Sequence, residues 1–283
     1  MRRALLWCMA TACLPAFDDP TAVVDEPRIL AVRSEPAEAR PGDPVRWRAL
    51  IAAPEDATPD TVPEWAWCLQ PRAVDERTAV TAACLTGEDR TPIPAQTPVP
   101  TDACARFGPN PPPTTGDEPP RRPADPDPTG GYYLPVHAGT DEAEAFGFVR
   151  LRCDLPGVTR AVFDAFQDRY RTNQHPGIID FDAPPETEAG VAHTLVLRTD
   201  DKAAEPFVRY DVDIADLVDE TETLTAHWYT TGGALGRSAS PVIEGQASVE
   251  WTAGPGDEPI QLWVVVRDNR GGVSWETATV PLR

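Results

Sequence analysis

Residues 260–268 read Ile260-Gln261-Leu262-Trp263-Val264-Val265-Val266-Arg267-Asp268, with apolar side chains on both faces of the alternation. Leu262, Val264 and Val266 point one way, and Trp263 and Val265 the other. A strand that is buried on both faces has this pattern, so a central strand is expected here. Outward from it, short alternating segments are separated by turn residues. Candidate strands span 177–182, 191–198, 206–214, 223–230, 247–252, 260–268 and 272–282. In 223–230 the inward set is Leu224, Ala226 and Trp228, with His227 on the wet face. In 206–214 Val208, Tyr210, Val212 and Ile214 form the buried face, opposite Arg209, Asp211 and Asp213. With turns at Thr231-Gly232-Gly233 and Asn269-Arg270-Gly271-Gly272, this spacing predicts a β-sandwich over residues 175–283.

The same signals precede it. Residues 28–32 form a first strand, Arg40-Pro41-Gly42-Asp43 is turn chemistry, and 45–51 places Val45, Trp47, Ala49 and Ile51 on one face. In 64–69, Trp65, Trp67 and Leu69 share a face, and a Trp on a third strand is what immunoglobulin-like sandwiches use to fill the space between sheets. The expected fold class is therefore all-β, with two immunoglobulin-like β-sandwich domains at 28–174 and 175–283. Residues 91–130 hold 13 of the 33 prolines and read as a Pro-rich surface loop inserted in the first domain. In 159–171, Val162, Phe163, Phe166 and Tyr170 suit one helix face, and an irregular strand closing the first sandwich fits nearly as well.

The N-terminus reads as an address. Met1-Arg2-Arg3 is a basic region before the short apolar stretch 4–10. Ala10-Thr11-Ala12-Cys13 then resembles a bacterial lipobox, in which the Cys takes a diacylglycerol and becomes the first mature residue. This implies a signal peptide at 1–12, lipidation at Cys13, and a tether over 13–27. With Leu14 rather than Asp next, the resemblance implies export to the outer membrane of the cell envelope. In an oxidising compartment the four remaining cysteines, Cys68, Cys84, Cys104 and Cys153, predict two disulfides. Cys68 points away from the Trp65/Trp67 face and Cys153 shares the Val149/Leu151 face, which favours Cys68–Cys84 with Cys104–Cys153 over Cys68–Cys153.

Residues 219–229, Asp219-Glu220-Thr221-Glu222-Thr223-Leu224-Thr225-Ala226-His227-Trp228-Tyr229, resemble the acidic-turn, Leu-Thr, x-x-Trp segment of PKD and related immunoglobulin-like modules. Residues 261–272 resemble their penultimate strand and Asp–Gly turn, so the resemblance covers about 186–283. The Asp-x-Asp-Gly turn that PKD modules often carry is missing. Such modules serve as spacers, adhesins and carbohydrate-protein appendages, so the resemblance speaks for fold more than for function. A lipobox followed by two such domains also resembles exported lipoproteins of Gram-negative bacteria.

Composition narrows the chemistry. With 25 Lys+Arg against 45 Asp+Glu the net charge is −20, which disfavours nucleic acid as a partner. Gly-x-Ser-x-Gly, His-Glu-x-x-His, Gly-x-x-x-x-Gly-Lys and Gly-x-Gly-x-x-Gly are all absent, and the cysteines lack zinc spacing. The candidate bases His137, His175, His193 and His227 lie in no catalytic motif. Asp211, Asp213, Asp216, Asp219 and Glu220 could offer oxygens to calcium, but they also read as the wet face and turn of a strand, so no metal or cofactor is expected. The reading is a non-enzymatic envelope lipoprotein that binds or scaffolds, its partner another envelope protein or a surface glycan. Trp251, Trp263 and Trp275 would stack on sugar if exposed and would speak against glycan binding if buried. An enzyme would need a pocket of converging groups, most plausibly between the domains.

Overall fold

The computed structural model describes residues 22–56, 59–73, 76–111, 129 and 131–283. The expected signal peptide, the lipidation candidate Cys13, tether residues 14–21 and positions 112–128 and 130 of the Pro-rich stretch lie outside them. The first half contains β1 (Arg28–Glu35), β2 (Glu38–Ala39), β3 (Pro44–Ala52), β4 (Glu64–Cys68), α1 (Ala82–Thr86), β5 (Arg90–Ile93), β6 (Gln96–Pro98), α2 (Ala103–Phe107), β7 (Tyr132–Gly139) and β8 (Glu144–Leu151). They form two sheets, β1-β3-β6 and β2-β8-β7-β4-β5, antiparallel except where β2 runs parallel to β8. Between the sheets Trp47 stacks on Trp65 at 6.1 Å and meets Trp67 edge-on at 5.4 Å, over Leu134, Val136, Val149 and Leu151. The chain enters β3 through a type II turn, with Asp43 N–H donating to Arg40 O (3.0 Å) and Gly42 at φ 88°, where a side chain would be strained.

The Pro-rich stretch is not a loop throughout. Residues 90–93 and 96–98 are edge strands, β5 beside β4 and β6 beside β3, while Val99 and Ala103 enter the core. Proline is tolerated at such edges because one side of the strand needs no donor. The disulfides are Cys68–Cys84 and Cys104–Cys153, each with Cα atoms 5.6 Å apart. As the alternation required, Cys68 lies outside the sandwich, where Cys84 and Val80 pack with Phe146 and Phe148 on the outer face of β8.

After β8 comes α3 (Arg160–Arg169), started by Thr159, whose Oγ1 accepts from Val162 N (3.3 Å). Between the helix and strand alternatives, the helix is what forms. It does not close the first sandwich. Val162, Phe166 and Tyr170 pack on Val208 and Leu217 of a hairpin made by β11 (Pro206–Asp211) and β12 (Asp216–Thr221), following β9 (Ile178–Asp182) and β10 (Ala192–Thr199). The hairpin corrects the single strand read at 206–214: the strand ends at Asp211, leaving Val212 and Ile214 exposed in the turn, 47% and 63%.

The remaining strands are β13 (Leu224–Thr230), β14 (Ala234–Leu235), β15 (Ala239–Pro241), β16 (Gln246–Thr252), β17 (Ile260–Asp268) and β18 (Val273–Val280). They build a second sandwich from β14-β16-β10-β9 and β15-β13-β17-β18, around Leu197, Trp228, Trp251, Leu262, Val264 and Val266. Its two buried indoles are satisfied locally, Trp228 Nε1 by Ser240 Oγ (2.8 Å) and Trp251 Nε1 by Gly232 O (3.0 Å).

Candidate functional site

The two-faced pattern of β17 has a specific cause. Its second face, Trp263 and Val265, is covered by Leu30, Ala31, Leu50 and Ala52 of β1 and β3, with Val24 and Val273 at the margin. These are the outward residues of the first sandwich's three-stranded sheet, since Val45 and Trp47 of β3 face its own core. The two sandwiches thus stack sheet on sheet, with Trp263 wholly buried between them. His227, read as solvated, lies under this contact. It is half-buried, and burial, followed by the charge of Arg267, lowers its imidazole below the ordinary value.

The N-terminal segment joins the same contact. Val24 is buried, its N–H donates to Thr230 O (2.8 Å), and Ala22 is buried beside it. Residues 22–24, within the tether read over 13–27, are therefore fixed to β13 because Val24 fills the apolar margin of the junction.

One end of the junction is ionic. Arg270, in the β17–β18 turn, has a side chain only 2% exposed. Its guanidinium donates to Glu222 Oε1 (3.0 Å), Tyr170 Oη (3.0 Å) and Arg171 O (2.9 Å), lies 3.5 Å from Glu38 Oε2, and packs over the rings of Phe207 (4.8 Å) and Tyr170 (5.4 Å). Glu38, on β2, accepts from Tyr170 Oη and from Asn173 N (3.0 Å) and lies 3.5 Å from Arg150 Nε. Burial, then the Glu38 charge, pushes the Tyr170 phenol up, keeping it the proton donor. Buried charges require partners of this kind. Here each sandwich supplies a carboxylate, Glu38 from the first and Glu222 from the second, and Arg270 reaches both.

His175 performs a similar task for neutral groups. Its Nε2 is 2.6 Å from Ser34 O on β1 and its Nδ1 accepts from Val273 N (3.0 Å) on β18, which assigns a neutral ring protonated at Nε2. Burial lowers its titration in agreement. The other candidate bases lie elsewhere: His137 against Glu144 (3.1 Å) and His193 against Thr187 Oγ1 (2.6 Å). The four histidines converge on nothing, and among the described residues no three His, Cys, Asp or Glu side chains are placed to hold a metal. Of the acidic set considered for calcium, Asp219 pairs with Arg169 (2.6 Å), Asp211 lies 3.6 Å from Arg209, and Glu220 pairs with Arg209.

The ionic end makes stability depend on pH. Burial pushes the Glu222 carboxyl up to about 7, against the hydrogen bond from Glu205 N–H; the Asp268 charge adds to the rise and Arg270 opposes it. A carboxyl that holds its proton more tightly when folded contributes most stability below its ordinary value of 4.5 and loses it as pH rises through about 7. Urea unfolding between pH ~5 and ~8 is expected to show the wild-type chain losing a few kcal/mol more than Glu222→Gln. Equal losses would remove Glu222 from the explanation.

Beside the ionic end lies a cavity of about 690 Å³, between the outer faces of β7 and β8, the loop closed by Cys68–Cys84, and the start of β18. The aromatic rings considered for glycan stacking are not in it. Trp251 and Trp263 are buried in other layers and Trp275 lies under Arg33 at 4.5 Å. No motif marks the junction charges, because Glu38 and Arg270 both sit in ordinary turn-like contexts.

No protein-family model matches the chain, and no curated protein sequence matches it. Among solved structures it is similar to the D00-D0 domain of Intimin, with 10% identity over 89% of this chain and 100% of that one and a TM-score of 0.26. It is also similar to the fibronectin(III)-like modules of CbhA from Clostridium thermocellum, with 10% identity over 94% and 92% and a TM-score of 0.29. A third is the adhesin InvE from Yersinia pseudotuberculosis, with 12% identity over 88% and 58% and a TM-score of 0.25. Likeness at this level carries no argument about this chain.

Proposed function

We propose that this chain is a non-enzymatic cell-envelope protein, anchored through a lipidated Cys13, that acts as a binding or scaffolding body made of two locked sandwiches. The observation that supports this best is the junction itself, where a buried apolar face and a buried ion network hold the two sandwiches in one arrangement. A body of this kind presents fixed surfaces, which suits holding a partner more than closing around a substrate. The burial of Trp251 and Trp263 favours an envelope protein over a glycan as that partner.

The anchor and the partner are tested separately. Cys13→Ala is expected to release the protein from the membrane fraction and to remove the mass of the acyl groups; unchanged association and mass would reject lipidation. Crosslinking of a tagged copy in cells, read by mass spectrometry, is expected to capture one dominant envelope protein. Retention of the chain by a polysaccharide array, with no protein captured, would reject the protein-partner reading.

A further inference from the structure

The cavity beside the ionic end combines an aromatic wall with a buried carboxylate oxygen that no donor of the described residues satisfies. Phe146 and Phe148 form the wall because alternate β8 residues point away from the core that Val149 and Leu151 fill. Tyr133 extends it, its ring edge-on to Phe148 at 6.5 Å. At about 690 Å³ the space falls within the roughly 300–1,000 Å³ of pockets that enclose small molecules.

Asp268 lines the same cavity and is only 8% exposed. Its Oδ1 accepts from Arg270 N (2.7 Å) and Gly272 N (2.8 Å), while its Oδ2 has no hydrogen-bond partner among the described residues. A buried carboxylate oxygen without a donor is costly, and a donor carried by a ligand would offset that cost. Two glycines of the cavity wall bring this oxygen close to the rings. A Cβ at Gly271 would lie 2.9 Å from Tyr133 Cε1, and a Cβ at Gly272 would overlap Oδ2 itself. The two arginines in the lining are engaged elsewhere, Arg72 donating to Thr78 O (2.6 Å) and Arg267 to Leu30 O (3.1 Å). The group that suits both features is an ammonium, which donates to a carboxylate and is attracted to aromatic faces. The net charge of −20 favours the approach of cations and opposes that of acids.

We infer that this cavity binds a primary ammonium on an apolar body, the ammonium donating to Asp268 Oδ2 beside Tyr133 and the body lying along Phe148 and Phe146. This goes beyond the scaffolding role and does not depend on the lipid anchor. The test is calorimetric titration of the purified full chain with phenylbutylammonium, phenylbutanol and phenylbutanoate, in ~0.15 M salt to screen attraction to the acidic surface. The ammonium is expected to bind one per chain, about tenfold or more tighter than the alcohol, the low end for a hydrogen bond to a charged group. The carboxylate is expected not to bind. Asp268→Asn keeps an oxygen for the Arg270 and Gly272 amides and is expected to bring the ammonium down to the level of the alcohol. Ala79→Trp, which fills the cavity from its exposed loop side, is expected to lose both ligands while circular dichroism stays unchanged. Absence of saturable binding, a carboxylate that binds as tightly as the ammonium, a preference for the ammonium that survives Asp268→Asn, or unchanged binding to Ala79→Trp would each overturn the inference.

Discussion

Arg270→Ala is expected to destabilise the chain by about 3–5 kcal/mol, the range for removing one partner from a buried ion pair. The cost comes from what stays behind. Glu38 and Glu222 have side chains at 0% exposure, and without Arg270 the second has no cation within ion-pair distance among the described residues. Glu38 keeps Arg150 at 3.5 Å and its bonds from Tyr170 and Asn173, so most of the loss should fall on the second sandwich's side of the junction. Arg270→Lys is expected to recover only part of it, since an ammonium cannot reach Glu222, Tyr170 and the Arg171 carbonyl from one planar group. Urea unfolding at about pH 8, above the raised titration of Glu222, reads both variants. A loss of under about 1 kcal/mol for Arg270→Ala, the size seen for exposed pairs, would show that the network is open to water.

Trp263→Ala is expected to cost a similar amount, about 3–5 kcal/mol for removing a fully buried aromatic, and to lower the melting temperature by roughly 10 °C. What distinguishes it from Trp228→Ala is location. Trp228 fills the second sandwich's own core, whereas Trp263 lies between the sandwiches against Leu30, Leu50 and Ala52. Trp263→Ala should therefore loosen the contact between sandwiches and leave each one folded. Because Arg270 and Trp263 support one junction, the double variant is expected to cost less than the sum of the two singles. Strict additivity would mean that the apolar and ionic ends act independently.

Much of the fold was legible in the residues. Alternation placed the β3, β4, β13 and β17 strands and faces, because the period of a strand does not depend on what covers it. It also turned Cys68 outward, which favoured the pairing seen over Cys68–Cys153. The apolar second face of β17 was read as the mark of a central strand, and what it recorded as well was a second sheet lying on Trp263 and Val265. The hairpin at Pro206–Asp211 and Asp216–Thr221 was missed because its second strand, Asp-Leu-Val-Asp-Glu-Thr, reads as an acidic turn; one face packs on α3 and the other is wet. Prolines hid the β5 and β6 edge strands in the same way. The buried charges at Glu38, Glu222 and Arg270 had no sequence signal, since Glu222 and Arg270 lie 48 positions apart, and Glu38 and Arg270, 232 positions apart, approach only when the sandwiches meet.

The central claim is that the two sandwiches behave as one body, and scanning calorimetry tests it most directly. Locked sandwiches should unfold in one transition whose calorimetric and van 't Hoff enthalpies agree, and Trp263→Ala should split or broaden it. Two separate transitions in the wild-type chain, each left in place by Trp263→Ala, would contradict the junction and the scaffolding role built on it.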